Sequence, residues 1–249
     1  MGKTIIAFDL YGTILSTSSI AAHLESLYGK EKAAVIAAQA RIYQLEYTWR
    51  INSMQGDSHS RQPYHNFSEV TRWSFRHATK EAGVAMTQAE EDGILNAYNG
   101  LDTFEDATKG LQIVASSDGL DAYIFSNGTP DMLAASLSSS PGLAKANASF
   151  PPSKIISVDD ITVFKPDPRV YRYLQTKAQQ AGGDDSADIW LVSSNPFDVV
   201  GAVAAGLKAA WVGRGNEWLD GLGNGAGYNP TIIVKGVDEA VEEIRRRSS

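Results

Sequence analysis

The chain has 249 residues, 22 Lys+Arg against 29 Asp+Glu for a formal net charge of −7, 43% hydrophobic residues and no cysteine. At ~150 residues per domain, that length makes one or two domains with a core large enough to need no disulfide or metal staple. The acidic balance argues against a surface that wraps nucleic acid or lies on anionic lipid, and the lack of thiols excludes a disulfide framework, a thiolate zinc site, an iron–sulfur cluster and a cysteine nucleophile.

The N-terminus, MGKTIIAFDLYGTIL, carries one Lys and a short apolar run broken by Asp9. That is neither a signal-peptide h-region nor a membrane span, so a soluble cytoplasmic protein is expected. Thr4 to Phe8 reads as a buried strand closed by Asp9. A carboxylate there is costly unless hydrogen-bonded or paired with a cation, and it is either a turn cap or a functional group. Gly12 permits a sharp turn and Thr13 can orient the carboxylate. More than a hundred residues separate this strand from the next candidate, and they read as helix nearly throughout. A single crossover needs far less. The expectation is therefore an α-helical cap subdomain at 16–100 inserted into a core formed by 1–15 and 101–249. Within it Ala38, Ile42, Leu45 and Trp49 are spaced as one apolar stripe of a long helix, with Arg41 on a neighbouring face. His23, His59, His65 and His77 lack the spacing of a helical zinc motif and read as surface or structural residues. Asp57 to Asn66 is polar and reads as a loop.

Beyond the insertion, helical patterns at Phe104 to Ser116, Pro130 to Leu137, Pro168 to Ala181, Pro196 to Ala205 and Val237 to Arg247 alternate with apolar runs. These runs, at Leu120 to Phe125, Lys154 to Val158, Ile189 to Val192, Lys208 to Val212 and Thr231 to Val234, read as strands. Ser138 to Pro152 and the glycine-rich Gly213 to Asn229 read as loops. The alternation predicts an α/β fold with a Rossmann-like, mostly parallel sheet flanked by helices, its strand order left open. In such sheets ligands bind beyond the carboxyl ends of the strands. Four polar segments stand there: Asp9 to Thr13, Ser126 to Gly128, Lys165 to Pro168 and Ser193 to Asp198. Locally each has an ordinary reading too. Asn127-Gly128 suits a turn, with Thr129 and Pro130 as N-cap and first residue of a helix. Lys165 precedes Pro166 in extended backbone, and Asp167-Pro168 opens a helix with Tyr171 in its first turn. Asn195, Pro196 and Asp198 suit the N-cap, N1 and N3 positions of a capping box.

Taken in order, the four segments resemble the haloacid dehalogenase superfamily over the whole chain. In that family the aspartate of an Asp-x-x-x-Thr motif is a nucleophile, followed by a strand-end Ser/Thr, a Lys and an acidic segment. Asp9/Thr13, Ser126, Lys165 and Ser193 to Asp198 fill those places. Phosphatases of the superfamily usually carry a second Asp two residues after the first as general acid, and acidic residues in the last motif that hold magnesium. This chain has Tyr11 at the first place and a single Asp198 at the second. Losing a general acid costs ~10²–10⁴-fold, and with fewer carboxylates a magnesium octahedron is harder to build.

The segments FDLYGT, QLEYTW, SNG, KPDPRVY and SSNPFD are similar to the L-2-haloacid dehalogenase branch. That resemblance implies hydrolytic dehalogenation of short L-2-haloalkanoic acids to D-2-hydroxy acids through an ester on Asp9, without a metal or other cofactor. It implies that Thr13 and Lys165 hold Asp9 ionised, that Ser126 binds the substrate carboxylate, and that Arg41 with Asn127 receives the halide. Asp198 would activate water while Lys165, Tyr171, Ser193 and Asn195 hold the network. Leu10, Tyr11, Leu45, Phe67 and Phe197 would surround the substrate, Phe197 standing where some relatives have Trp. The implied partner is a small 2-haloacid anion, with no nucleic acid or membrane, and a homodimer is common among similar enzymes. The rival readings are a phosphatase or phosphonatase of the same superfamily and a non-catalytic small-acid binder.

Overall fold

Short runs rich in β-branched and aromatic residues, punctuated by helices, pair here as one all-parallel sheet. The computed structural model describes residues 4–55, 64–146, 149–182 and 188–248. Strands β1 (Thr4–Phe8), β2 (Leu120–Ser126), β3 (Ile155–Ser157), β4 (Asp188–Ser193), β5 (Lys208–Val212) and β6 (Ile232–Val234) lie in the order β3-β2-β1-β4-β5-β6. Strands β1 and β2 are buried along their whole length, as a parallel sheet covered by helices requires. Phe8 is in register with Ile124 of β2 and Val192 of β4. Asp9, Ser126 and Ser193 therefore emerge together at the carboxyl edge, where the strand order reverses.

Between β1 and the returning helix α5 (Glu105–Ala115) the chain forms α1 (Ile20–Tyr28), α2 (Lys30–Met54), α3 (Phe67–Glu81) and α4 (Gln88–Tyr98), which pack on one another. Asn66/Glu69 and Thr87/Glu90 form reciprocal capping boxes that satisfy the first free N–H groups of α3 and α4. Helix α2 reaches the segments around the sheet through Arg41, through Asn52 and through Gln55. The Asn52 side chain accepts from Phe164 N at 2.9 Å and donates to Phe164 O at 2.7 Å, as a neighbouring strand would, and Gln55 donates to Thr162 O.

The stripe expected to bury α2 does the opposite. Ile42 is 55% and Trp49 39% exposed, in line with Val35 at 57%. The buried face instead carries Ala33, Ile36, Ala40, Tyr43, Gln44, Thr48 and Ile51. Gln44 and Thr48 can be buried because their polar atoms find partners among these helices, Thr71 and Tyr98 for Gln44 and the Leu45 carbonyl for Thr48. A hydropathy pattern cannot register burial of that kind.

The sheet is covered by α6 (Pro130–Ser139), the short α7 (Pro141–Ala144), α8 (Pro168–Gly182), α9 (Pro196–Ala204), α10 (Gly221–Ala226) and α11 (Val237–Ser248). Two expected loops contain helix. Ser138 to Pro152 holds the end of α6 and all of α7, and Gly213 to Asn229 holds α10 despite its glycines. The Asp220 side chain accepts from Gly223 N at 2.6 Å to start α10, and Gly227, at φ 78°, ends it. Caps outweigh propensity there. Most of the expected Asp57 to Asn66 loop, His59 included, lies outside the described residues. Among the described residues no helix is long and apolar enough to cross a membrane.

Candidate active site

Asp9 is buried at the tip of β1, 6% exposed, and its two oxygens are loaded unequally. Oδ2 accepts from Thr13 Oγ1 at 2.8 Å, Asn195 Nδ2 at 2.6 Å and Ser193 Oγ at 3.3 Å. Oδ1 accepts from Lys165 Nζ at 3.0 Å. The donors on Oδ2 fix the plane of the carboxylate. Oδ1, with a single bonded partner, keeps a lone pair for a reacting atom.

Lys165 is 1% exposed. Its ammonium spends three N–H bonds on Asp9 Oδ1, on Phe125 O at 2.8 Å and on Asp198 Oδ2 at 2.8 Å, and it lies 4.1 Å from the centre of the Phe125 ring. A cation thus sits between two buried carboxylates, which compensates their desolvation. Asp198 is completely buried, and Tyr171 donates to its Oδ1 at 2.9 Å. Burial pushes the Asp198 carboxyl up to about 6, Asp9 adds to the rise, and Lys165 opposes it. The Tyr171 hydroxyl is held far above its ordinary range by burial and by the adjacent Asp198 charge.

The capping-box reading of SSNPFD is therefore corrected. Asn195 does precede α9, yet its side chain makes no cap bond, and Asp198 points to Lys165 and Tyr171. The Asn195 amide instead donates to Asp9 Oδ2 and to Tyr11 O and accepts from Arg41 Nη2 at 3.1 Å. Arg41 crosses from α2 to reach it, also donating to Tyr11 O at 3.3 Å and to Gln44 Oε1 at 2.8 Å. By contrast Thr129 caps α6 as expected, accepting from Met132 N. That leaves Asn127 to accept from Lys165 N at 3.0 Å, while buried Ser126 accepts from Gly128 N.

The expected wall residues divide. The Tyr11 ring lies between Phe67 and Tyr98 at 5.5 and 5.3 Å, and burial raises the pKa of its hydroxyl. Phe67 is buried at the start of α3. Leu10 is also buried in the core, and its carbonyl receives the N–H groups of Ile14 and Leu15. Leu45 is half-buried one turn beyond Arg41. Phe197 packs edge-on against Trp49 and lines an open cleft of about 530 Å³ with Pro166 and Leu222. Sequence reasoning missed Gln44, which joins Arg41, Tyr98 and Thr71, and also Ser194 and Arg214. Gln44 lies in QLEYTW and Ser194 in SSNPFD, whereas Arg214 has no signal beyond being a cation in a glycine-rich stretch.

A family model described as haloacid dehalogenase-like hydrolase matches residues 3–206. The (S)-2-haloacid dehalogenase of Pseudomonas sp. (strain YL) is 31% identical over 231 residues, 92% of this chain and 90% of that protein. The (S)-2-haloacid dehalogenase of Pseudomonas fluorescens is 31% identical, covering 93% of this chain and 92% of its own. Among solved structures, the L-2-haloacid dehalogenase from Xanthobacter autotrophicus with chloropropionic acid covalently bound superposes with a TM-score of 0.79 at 28% identity, over 98% of this chain and 99% of that one.

Proposed function

The chain belongs to the haloacid dehalogenase-like hydrolases, and within that family we propose that it hydrolyses short L-2-haloalkanoic acids to D-2-hydroxy acids through an ester on Asp9. The observation that carries the reading is the asymmetric Asp9 carboxylate, pinned through Oδ2 and paired with Lys165 through Oδ1. Such a group is a positioned, ionised nucleophile with one oxygen available for displacement at carbon.

In the first step Asp9 Oδ1 attacks C2 opposite the halogen, the carbon–halogen bond breaks, and halide leaves with the bonding pair. Arg41, reaching over Tyr11 O and Asn195, supplies positive charge where the halide departs. The Ser126 hydroxyl and strand-end N–H groups bind the substrate carboxylate through charge-assisted bonds. Tyr11, Leu45, Phe67 and Phe197 keep water from the halogen and the alkyl group. In the second step water attacks Cγ of Asp9 and Asp198 takes its proton. The Cγ–Oδ1 bond breaks and the departing oxygen takes that proton back from Asp198, so the product hydroxyl carries Oδ1, while the water oxygen stays on Asp9, which returns to a carboxylate by releasing the second water proton to solvent. With a pKa near 6, Asp198 is ionised at neutral pH yet more basic than an ordinary carboxylate, which suits a general base. Attack at C2 followed by attack at Cγ inverts the carbon once.

Phosphate-ester chemistry fits less well. Tyr11, buried between two rings, stands where an acid would protonate the leaving group. The last motif offers a single carboxylate, Asp198, whose oxygens already accept from Lys165 and Tyr171. The cap at 16–100 and association of two copies complete the proposal, the latter supported by the exposed Val35, Ile42 and Trp49 stripe at seven-residue spacing.

Halide release from L-2-chloropropionate in excess EDTA tests the reading. Single turnover in heavy-oxygen water should leave the label on Asp9. No halide, or label in the first-turnover product, overturns it, and turnover of p-nitrophenyl phosphate only with magnesium would favour the phosphatase.

A further inference from the structure

We infer that Arg214 is a positioning residue that sets the aim of the Asp9 carboxylate without touching it. It lies beyond β5, between Gly213 and Gly215, in a stretch that the sequence presents only as a glycine-rich loop. Its five N–H groups all have acceptors. Nη1 donates to Gly12 O at 3.3 Å and Ser194 Oγ at 2.6 Å, Nη2 to Thr13 O at 2.7 Å and Asp106 Oδ2 at 3.0 Å, and Nε to Asp106 Oδ1 at 3.2 Å. Its guanidinium carbon lies 3.7 Å from the centre of the Phe104 ring. To reach this position the residue adopts φ 47°, a left-handed conformation that side-chain-bearing residues disfavour. Strain of this kind persists only where the surroundings over-determine it, and here five bonds and a stacked ring do so.

The atoms held are the ones that matter to Asp9. The Thr13 hydroxyl donates to Asp9 Oδ2 and accepts from Ser194 N at 2.8 Å. Arg214 grips the Thr13 carbonyl on one side and the Ser194 hydroxyl on the other, so it fixes both ends of that relay. The turn after β1 and the loop after β4 are separate in sequence, and Arg214 locks them in register. Its own anchor is rigid. Asp106 sits in the first turn of α5 and also accepts from Val237 N at the start of α11. A planar fork can bridge two carbonyls, a hydroxyl and a carboxylate at once, which a lysine cannot.

Two measurements on the full chain test this, comparing wild type with Arg214→Met and Arg214→Lys. Backbone hydrogen exchange needs no substrate. The Ser194 amide should exchange faster in Arg214→Met while β1 and β2 amides keep their protection. Single-turnover halide release from L-2-chloropropionate, normalised to active sites counted as ester-bearing protein by mass spectrometry, should slow about 10²-fold with KM unchanged, the loss typical of a misplaced reacting group. Arg214→Lys should recover only part of that rate, and it carries the comparison if Arg214→Met does not fold. Wild-type rates per active site, or protection lost evenly across the sheet, would make Arg214 a stability residue and overturn the inference. The kinetic arm rests on the dehalogenase reading. If the wild type releases no halide that reading falls, and the exchange measurement alone decides the role of Arg214.

Discussion

Replacing Lys165 by Met tests whether its ammonium is what allows two carboxylates to share a dry site. Lys165 is 1% exposed between Asp9 at 6% and Asp198 at 0%, with N–O separations of 3.0 and 2.8 Å. Removing one partner from such a buried set leaves uncompensated charge and costs about 3–5 kcal/mol. The cost depends on pH, and Asp198 sets the sign. Its folded-state pKa is raised from 3.8 to about 6, so the folded chain holds this proton more tightly than the unfolded one. The resulting stabilisation is fully present below the unfolded value and is lost as pH rises through the folded one. At about 1.36 kcal/mol per pH unit, the wild-type site gives up about 3 kcal/mol across that window. Without the cation the folded value climbs further and the window extends upward. The expected result from urea titrations is a deficit of about 3–5 kcal/mol relative to wild type at about pH 8, shrinking at about pH 5 where a proton replaces the ammonium. Halide release should fall at least about 100-fold. An equal stability deficit at both pH values would show that charge compensation is not its role and make Lys165 a packing residue.

Three further outcomes follow from the same geometry. Ester hydrolysis should fall about tenfold per pH unit below about 6 as Asp198 gains its proton, and Asp198→Asn should accumulate the Asp9 ester, read by peptide mass; a flat profile to lower pH would remove Asp198 as the base. In Gly201→Ala the new methyl would lie 2.5 Å from the Tyr171 hydroxyl and 2.7 Å from Pro166 Cβ, a misfit costing about 1–3 kcal/mol. Because the Tyr171 bond lowers the Asp198 pKa, displacing Tyr171 should move the acid limb to higher pH, whereas an unmoved limb would separate Tyr171 from the base. Sedimentation should give a dimer for wild type and a monomer for Ile42→Glu; a monomeric wild type would leave the α2 stripe without that role.

The core was legible because each strand ends in a local signal. Apolar runs closed by Asp9, Ser126 and Ser193, with Thr129-Pro130 and Pro196 opening the next helices, announce strand, turn and helix within a few residues. The α2 stripe was not legible. Ile42 and Trp49 look like core by periodicity, while Gln44 and Thr48 look like surface, and burial reverses both because the partners of Gln44 and Thr48 lie on α3, on α4 and on α2 itself. Short α10 escaped for a related reason, since a single Asp220 cap and not its composition starts it.

What the chain determined by itself was the alternation of elements, the edge of the sheet where polar residues gather, and, through four short segments taken together in order, the choice of Asp9, Lys165 and Asp198 as the groups to watch. What the tertiary structure decided was how they meet. It placed Lys165 between the two carboxylates, turned Asn195 from cap to bridge, and brought Arg41 and Arg214 to the turn after β1 from 30 and 201–202 residues away. Those pairings are set by strand register and helix packing, and no local pattern encodes a distance between residues so far apart in the chain.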